Sequence, residues 1–370
     1  MSLNTVSYII EKEVNKVIYS KDIDKSLIRD ISFLKSDQRI LFIYDKNISK
    51  KFINKLKTQL KLTGNIVFFK EIEGKKTNKK LPNLLNLFNL LIKNKFTKNS
   101  VIISCGGGVV GDMCGLLSSL YLRGTIYFHI PTTMTAIVDS CIGGKTGINY
   151  KRIINSIGTY YHPKSVFISK NIINLIPNRE FYSGFSEIIK SGCLDNNRIF
   201  RMLKNNKNKL ISRDFVYMSK LISLTLNTKI KFFKNDIYEN SKRLNLNFGH
   251  TFAHAIEMAL KSNGQDIIRH GEAVGIGMLC EIFYSEGKSK KFFFIKDLLK
   301  KYKLPINIKK YLNYKKNDIT KHRIYKNIFL DKKRINNFPR CIKITKFGSP
   351  EIIEMRDNNR IFQTIEKVIF

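Results

Sequence analysis

No two cysteines in this chain form a Cys-x-x-Cys pair. The six (Cys105, Cys114, Cys141, Cys193, Cys280 and Cys341) are scattered, most of them in apolar or glycine-rich contexts. That spacing excludes a cysteine-based zinc knot and argues against a disulfide framework, so the thiols read as reduced, in a cytoplasmic protein. No apolar run approaches the roughly 20 residues of a membrane span. The first twenty residues carry Glu11 and Glu13 and lack the apolar core and cleavage site of an export signal. Acidic residues are scarce: 29 Asp and Glu stand against 66 Lys and Arg, a net charge of +37. Such an excess invites nucleic acid or an anionic membrane as partner. The lysines, however, are spread along nearly the whole chain among Asn and Ile, as in KKYKLPINIKKYLNYKKN. All three residues have AT-rich codons, so a biased genome accounts for them. The charge reads as a solvated surface with a modest pull on phosphorylated anions, and neither a specific nucleic-acid partner nor a membrane is expected.

At 370 residues, 43% of them hydrophobic, the chain can bury a large core and divide into two domains. The apolar runs ILFIYDKNIS (40–49), NIVFFKEI (65–72), SVIISCGGG (100–108) and TIYFHIPTT (125–133) suit buried strands. Lysine-rich helical stretches such as NLLNLFNLLIKN lie between them. This alternation predicts a parallel sheet with crossover helices. From about residue 171 helical periodicity takes over, as in DFVYMSKLISLTLNTKIKFF and HTFAHAIEMALK, and Pro177 suits a helix start. The expected architecture is an N-terminal Rossmann-like α/β domain over residues 1–170 and a mostly α-helical domain over 171–370. Residues 299–345 are lysine-rich and weakly periodic and suggest no element.

Two glycine-rich stretches follow predicted strands. In SCGGGVVGDMCG (104–115), Gly106, Gly107 and Gly108 let backbone approach a pyrophosphate at a helix N-terminus; the alternative is a tight structural turn. VDSCIGGKTGIN (138–149) holds Asp139, Lys145 and Asn149; a lysine among glycines suits an anion, and the alternative is a loop whose glycines set φ and whose lysine is solvated. Asp45, at a strand end, suits a ribose hydroxyl. Three of the six histidines fall in one window: His250 and His254, four apart in a helical pattern, and His270 before Gly271 and Glu272. Four-residue spacing puts two imidazoles on one helical face. Should Glu187 of FSEIIKSG meet them in space, Glu187, His250 and His270 would form a carboxylate–imidazole set with an open position, as catalytic zinc requires. His254 would then stand one turn away for proton transfer. Otherwise Glu187 and Lys190 make an ordinary i, i+3 surface pair. Continuing the helix backwards places Arg243 and Asn247 on the same face as the histidines, an array suited to a small anionic, oxygen-rich substrate.

GGGVVGDMCG, YLRG, IPTTMTAIVDSCIGGKTGIN, NSIGTYYHP, SGFSEIIKSG, RLNLNFGHTFAHAIE and HGEAVGIGM, in this order, resemble the 3-dehydroquinate synthase family. The resemblance is dense from about 101 to 280, and LDKKRI (330–335) is similar to a family element too. It implies an NAD-binding α/β domain and a zinc ion, replaceable by Co2+, held by Glu187, His250 and His270. It implies 3-deoxy-D-arabino-heptulosonate 7-phosphate as substrate, in the shikimate pathway of aromatic amino acid biosynthesis. NAD would oxidise C5 transiently, phosphate would leave, the ketone would be reduced back, and the opened ring would close by aldol addition. Matching positions imply Arg123, Lys145, Asn155, Lys190, Lys229, Arg243, Asn247 and Lys332 around phosphate, carboxylate and hydroxyls. Asp139 and Glu239 match active-site positions, and His254 a proton-handling one. Asp45, Gly107, Gly108, Val109, Asp112, Thr132, Thr133 and Lys145 are implied in cofactor binding, and a homodimer is implied as the assembly. Departures from the pattern are Lys75 for Glu, Ile154 for Lys and Leu175 for Thr, all on the cofactor side. Ala253 stands for Gly, and the segment from Glu257 to His270 is about three residues longer than usual.

Three other readings compete. Another sugar-phosphate cyclase would use the same scaffold, but Arg243, Asn247, His254 and Lys332 favour dehydroquinate synthase. A polyol dehydrogenase would release NADH and would not need the phosphate-directed basic residues. A polyanion-binding protein with a decayed site would fit the +37 charge, but not an intact zinc and substrate set.

Overall fold

The computed structural model describes residues 4–10, 13–35, 37–151, 153–195, 197–262, 265–312, 317–329 and 338–370. The chain divides into two compact units: Met1–Pro177 with Arg213–Leu226, and Asn178–Ser212 with Asn227–Phe370.

The first unit is an α/β sheet. In chain order it contains β1 (Asn4–Ile10), β2 (Glu13–Ser20), α1 (Ile23–Ile31), β3 (Arg39–Asp45), α2 (Lys50–Lys61), β4 (Ile66–Ile72), α3 (Leu81–Lys93), β5 (Val101–Gly106) and α4 (Gly108–Leu120). There follow β6 (Ile126–Pro131), β7 (Lys145–Tyr150), β8 (Ile153–Tyr160), β9 (Ser165–Ser169) and α5 (Lys170–Leu175). Seven strands form one sheet in the order β1-β2-β9-β6-β5-β3-β4, parallel throughout except for the β1–β2 pair. The four apolar runs became β3, β4, β5 and β6. Every residue of β5 and β9 is buried, as expected of strands covered on both faces, which show no polar alternation. Leu84, Leu87 and Leu91 of α3 and Met113, Leu116 and Leu117 of α4 pack with Leu41, Ile43 and Ile102 of the sheet. Each such side chain contributes roughly 1.5–3 kcal/mol by leaving water.

Within this sheet the chain goes from β3 outward to β4, returns to β5 on the other side of β3, and then proceeds to β6. The two neighbours β3 and β5 therefore send their following connections in opposite directions. A crevice opens outside the carboxyl ends of parallel strands at such a switch point. Here Asp45 ends β3 and Gly106 ends β5. The Gly-Lys stretch expected as a loop is partly strand. Residues Ala136–Ser140 make a π-helical turn, and Lys145 opens the β7–β8 hairpin.

The second unit is mostly helical. Its helices are α6 (Asn178–Ser183), α7 (Phe185–Leu194), α8 (Asn197–Asn205), α9 (Lys207–Ile211), the end of α10 (Phe215–Phe233), α11 (His250–Ala259), α12 (His270–Glu286), α13 (Lys290–Lys301), α14 (Asn317–Ile328) and α15 (Asn358–Thr364). Short β10 (Lys261–Ser262) and β11 (Gln265–Asp266) pair between α11 and α12. A second hairpin, β12 (Arg340–Lys346) with β13 (Ser349–Glu354), is tied to α12 by Ile342 N–H donating to the buried Glu281 Oε2 at 2.8 Å. Among the described residues, no helix is long and apolar enough to cross a membrane.

Helices α11 and α12 meet backbone to backbone. A Cβ on Gly277 would lie 1.9 Å from Gly249 O, and one on Gly249 would lie 2.9 Å from both Met278 N and Val274 O. Gly249, at φ +82°, ends the preceding chain and opens α11. The start of α12 is fixed equally firmly. Glu272 accepts from Arg269 N–H at 2.9 Å and takes both guanidinium arms of Arg179, at 2.9 and 2.7 Å. A carboxylate in the first helical turn satisfies an N–H left over there and opposes the helix dipole.

Candidate metal centre and dinucleotide edge

The fixed ends of α11 and α12 carry His250 and His270, and α7 carries Glu187. Glu187 is 1% exposed, and its Oε1 lies 3.8 Å from His250 Nε2 and 3.5 Å from His270 Nε2. Among the described residues Oε1 has no hydrogen-bond partner. Both rings are oriented from behind. His250 Nδ1 lies 3.2 Å from Phe248 O, and His270 Nδ1 lies 3.3 Å from Glu257 Oε2. Carbonyl and carboxylate oxygens only accept, so each Nδ1 is the donor in its contact, and each Nε2 turns towards Glu187. Ligands about 2.0–2.2 Å from a tetrahedral zinc stand roughly 3.3–3.6 Å apart. The observed spacings surround a position of that size, and the outward hydrogen bonds are those that orient metal-bound histidines. The residues fit a divalent cation.

Burial alone would raise the Glu187 carboxyl, but the Lys190 ammonium and the His270 ring outweigh it and bring it down to about 2. Lys190 Nζ lies 2.6 Å from Glu187 Oε2, with both side chains buried. The alternative of an ordinary surface pair is thus excluded, and the pair lies inside, where a charge needs a counter-charge. Burial disfavours charge on His270, yet Glu257 and Glu187 together lift its pKa to about 10. A cation arriving between Glu187 and His270 must displace that proton. Glu257 belongs to the same helical motif, three residues after His254, and the sequence reading passed over it. Replacing it with glutamine should weaken zinc binding about 10–100-fold while leaving the fold intact; chelator competition on the purified variant measures this.

The expectation of one helical face carrying Arg243, Asn247, His250 and His254 is not met. Residues Lys242–Asn247 form a 3-10 segment, and the left-handed Gly249 breaks the chain before α11. Arg243 is nonetheless almost fully buried, its Nη1 donating to Ile237 O at 2.5 Å. Asp236 organises this loop by accepting backbone N–H groups of Asn240, Ser241 and Arg243 at 2.8–2.9 Å. Asn247 Nδ2 donates to Glu239 Oε1 at 2.8 Å and to Leu244 O at 2.9 Å, and Glu239 is itself left-handed at φ +60°. Lys229, in α10, is buried. His254 is exposed, its ring centroid 5.6 Å from that of His250 and 6.2 Å from that of His270. Lys332 lies outside the described residues.

In the first unit the glycine loop sits at the switch point between β3 and β5. Thr132 N–H donates to Gly106 O at 2.9 Å, which joins the loops after β5 and β6. A Cβ on Gly107 would come 2.9 Å from Thr133 Cγ2, and one on Gly108 would come 3.2 Å from Ser140 Oγ. Val109 follows in the first turn of α4. The glycines thus leave backbone uncovered where a helix N-terminus favours anions. Across the β3 end, a Cβ on Gly74 would lie 2.1 Å from Asp45 Oδ2. Asp112 and Lys145 line one small cavity with Tyr127 and His129. His129, buried and pushed down to about 4 by that burial, is neutral, and its Nδ1 lies 2.7 Å from Ser104 Oγ. Asp139 falls in the π-helical turn, and Arg123 is exposed at φ +61°. The buried Lys79 contacts both Asp112 Oδ2 and Asn155 Oδ1 at 2.5 Å. Sequence reading missed it, because nothing local separates it from neighbouring lysines. Of the departing positions, Lys75 pairs with Glu73 at 2.7 Å, while Ile154 and Leu175 are half exposed.

The chain thus combines a doubly wound sheet with an anion-ready edge and a helical unit holding a carboxylate–imidazole set. Solved structures agree on the fold. 2-Deoxy-scyllo-inosose synthase, complexed with carbaglucose-6-phosphate, NAD+ and Co2+, superposes with a TM-score of 0.81 at 21% identity, over 99% of this chain and all of the other. The 2-epi-5-epi-valiolone synthase ValA of Streptomyces hygroscopicus subsp. jinggangensis 5008, with NAD+ and Zn2+ bound, gives 0.83 at 20% identity over 98% of each chain. The family models for the N-terminal and C-terminal parts of 3-dehydroquinate synthase match residues 69–183 and 184–334. The 3-dehydroquinate synthase of Prochlorococcus marinus subsp. pastoris is 35% identical over 310 residues, 82% of each chain. The chain belongs to the 3-dehydroquinate synthase family.

Proposed function

We propose that this enzyme converts 3-deoxy-D-arabino-heptulosonate 7-phosphate to 3-dehydroquinate and phosphate, with residues 1–170 serving NAD and residues 171–370 serving metal and substrate. The observation that carries the reading is Glu187 Oε1, buried without a hydrogen bond among the described residues and faced by two imidazole nitrogens whose rings are anchored from behind. When bound, NAD supplies a reversible hydride acceptor and zinc, or Co2+ in its place, a Lewis acid for a substrate hydroxyl. Glu187, His250 and His270 hold the metal. Asp45, Gly107, Gly108, Val109, Asp112, Thr132, Thr133 and Lys145 hold the dinucleotide.

The remaining residues bind and orient. Lys190, Lys229 and Arg243 are cations withdrawn from water, and such cations form strong, directional bonds to phosphate and carboxylate oxygens. Arg123, Asn155 and Lys332 serve as donors to phosphate, carboxylate or hydroxyl oxygens, and Asp139 as an acceptor from hydroxyls. Glu239 fixes the Asn247 amide through the 2.8 Å hydrogen bond and so sets the direction of its oxygen. His254, exposed beside the metal ligands, is the residue that passes protons to and from the substrate. With C5 oxidised, the adjacent C–H is acidified and the departing phosphate can accept its proton, so the protein chiefly positions. A cytoplasmic homodimer is part of this proposal.

Product identification on one preparation, with metal and NAD analysis, tests the reading. Phosphate and dehydroquinate should form in equal amounts without net NADH. Steady NADH accumulation would point to a polyol dehydrogenase, and protein inactive with both cofactors added would overturn the enzyme reading.

A further inference from the structure

Glu187, His250 and His270 are not the only donors gathered here. His254, Glu257 and His270 also bring one ligand atom each to within 4.8 Å of one another. We propose that these three form a second, outer divalent-cation position, which fills when zinc exceeds one equivalent and then blocks turnover. His254 and Glu257 are three residues apart on α11, which places them on one face. His270 is shared, with Nε2 directed at Glu187 Oε1 and Nδ1 at Glu257 Oε2, 3.3 Å away. An outer cation would replace the Nδ1 proton, which is released to solvent, so that the His270 ring, as an imidazolate, would offer Nδ1 to the outer ion and Nε2 to the inner one. Two imidazoles and a carboxylate suit zinc by ligand type.

The two positions differ in burial. The inner one is built on Glu187, 1% exposed, whereas the outer one is closed by the exposed His254. Ligands in contact with water hold an ion less tightly than the same ligands in a low-dielectric interior. The inner position therefore fills first and the outer one exchanges. Loss of turnover follows because an imidazole bound to a cation cannot carry a proton. This last step rests on the proton-handling role proposed for His254; binding itself does not.

The test is equilibrium dialysis of the metal-stripped full chain against Zn2+ alone, with activity followed on the same samples. The wild type should bind two equivalents, the second more weakly, and activity should fall by about a hundredfold as the second binds. A brief exposure to a weak chelator should restore it. His254→Ala should keep the tight equivalent and lose the second, and Glu257→Gln should lose the second as well. A single equivalent up to millimolar zinc, or a second equivalent that survives in both variants, overturns the outer position. If instead His250→Ala left the tight equivalent in place, the inner assignment would be the one at fault.

Discussion

His250→Ala should emerge from purification with almost no zinc, and its phosphate-releasing activity should fall about a thousandfold or more, since a Lewis-acidic metal contributes several kcal/mol to such a barrier. His250 contributes one Nε2 to a three-donor set with Glu187 and His270. Elemental analysis of wild type and variant measures the loss directly; undiminished zinc would refute the ligand. Glu187→Gln should also lose metal, but for two reasons. The amide is a poorer ligand, and it leaves the Lys190 ammonium buried without its counter-charge. Breaking a buried pair from one side costs about 3–5 kcal/mol. Glu187→Gln should therefore melt earlier than His250→Ala even when both are metal-free, and melting curves recorded with chelator present make that comparison.

The histidines were legible in their local spacing, but their grouping was not. Four-residue spacing suggests that His250 and His254 bind together, because helical periodicity is the only geometry a local stretch reveals. The structure instead pairs His250 with His270, the first residue of another helix, and adds Glu187 from a third. Such closure depends on how α7, α11 and α12 pack, and no local pattern carries that information. The motif resemblance supplied the grouping, since it compares whole sites rather than local periods. The same limit explains the misplaced helical face. Arg243 and Asn247 have helical spacing to His250, yet Gly249 adopts a left-handed conformation that an extrapolated period cannot foresee.

The first unit was easier to read. Continuous apolar runs bounded by turn residues identify buried parallel strands, and β3, β4, β5 and β6 lie where those runs lie. The β1–β2 pair and the β7–β8 hairpin escaped notice. Half-polar strands such as β8, largely exposed, and β7, which buries only Gly147 and Ile148, lack the apolar continuity that marks a covered strand. Lys79 escaped for a different reason. In a chain with 66 basic residues, a buried lysine looks like every other one until its partners Asp112 and Asn155 appear beside it.

Gly277→Ala should cost the enzyme both stability and metal, although it touches no ligand. The added Cβ would stand 1.9 Å from Gly249 O and 3.1 Å from Ala253 N, so the obstacle is backbone rather than a side chain that can turn away. Relief requires the start of α11 to move off α12. That start is His250 itself, and its ring centroid is 5.3 Å from the His270 ring. Overpacking of this kind costs about 1–3 kcal/mol, and misplacing a ligand by roughly 1 Å can cost a hundredfold in function. Gly275→Ala on the same helix is the matched control. Its Cβ would meet Leu299 Cδ2 at 3.0 Å, the end of a flexible side chain. Alanine is the better helix former by about 1 kcal/mol, so the control should fold at least as well as wild type if Leu299 turns aside. Zinc affinity by chelator competition and thermal melting with and without zinc separate the two variants. Equal zinc affinity in Gly277→Ala and wild type would mean that the backbone contact between α11 and α12 does not set the distance between the two metal-binding histidines.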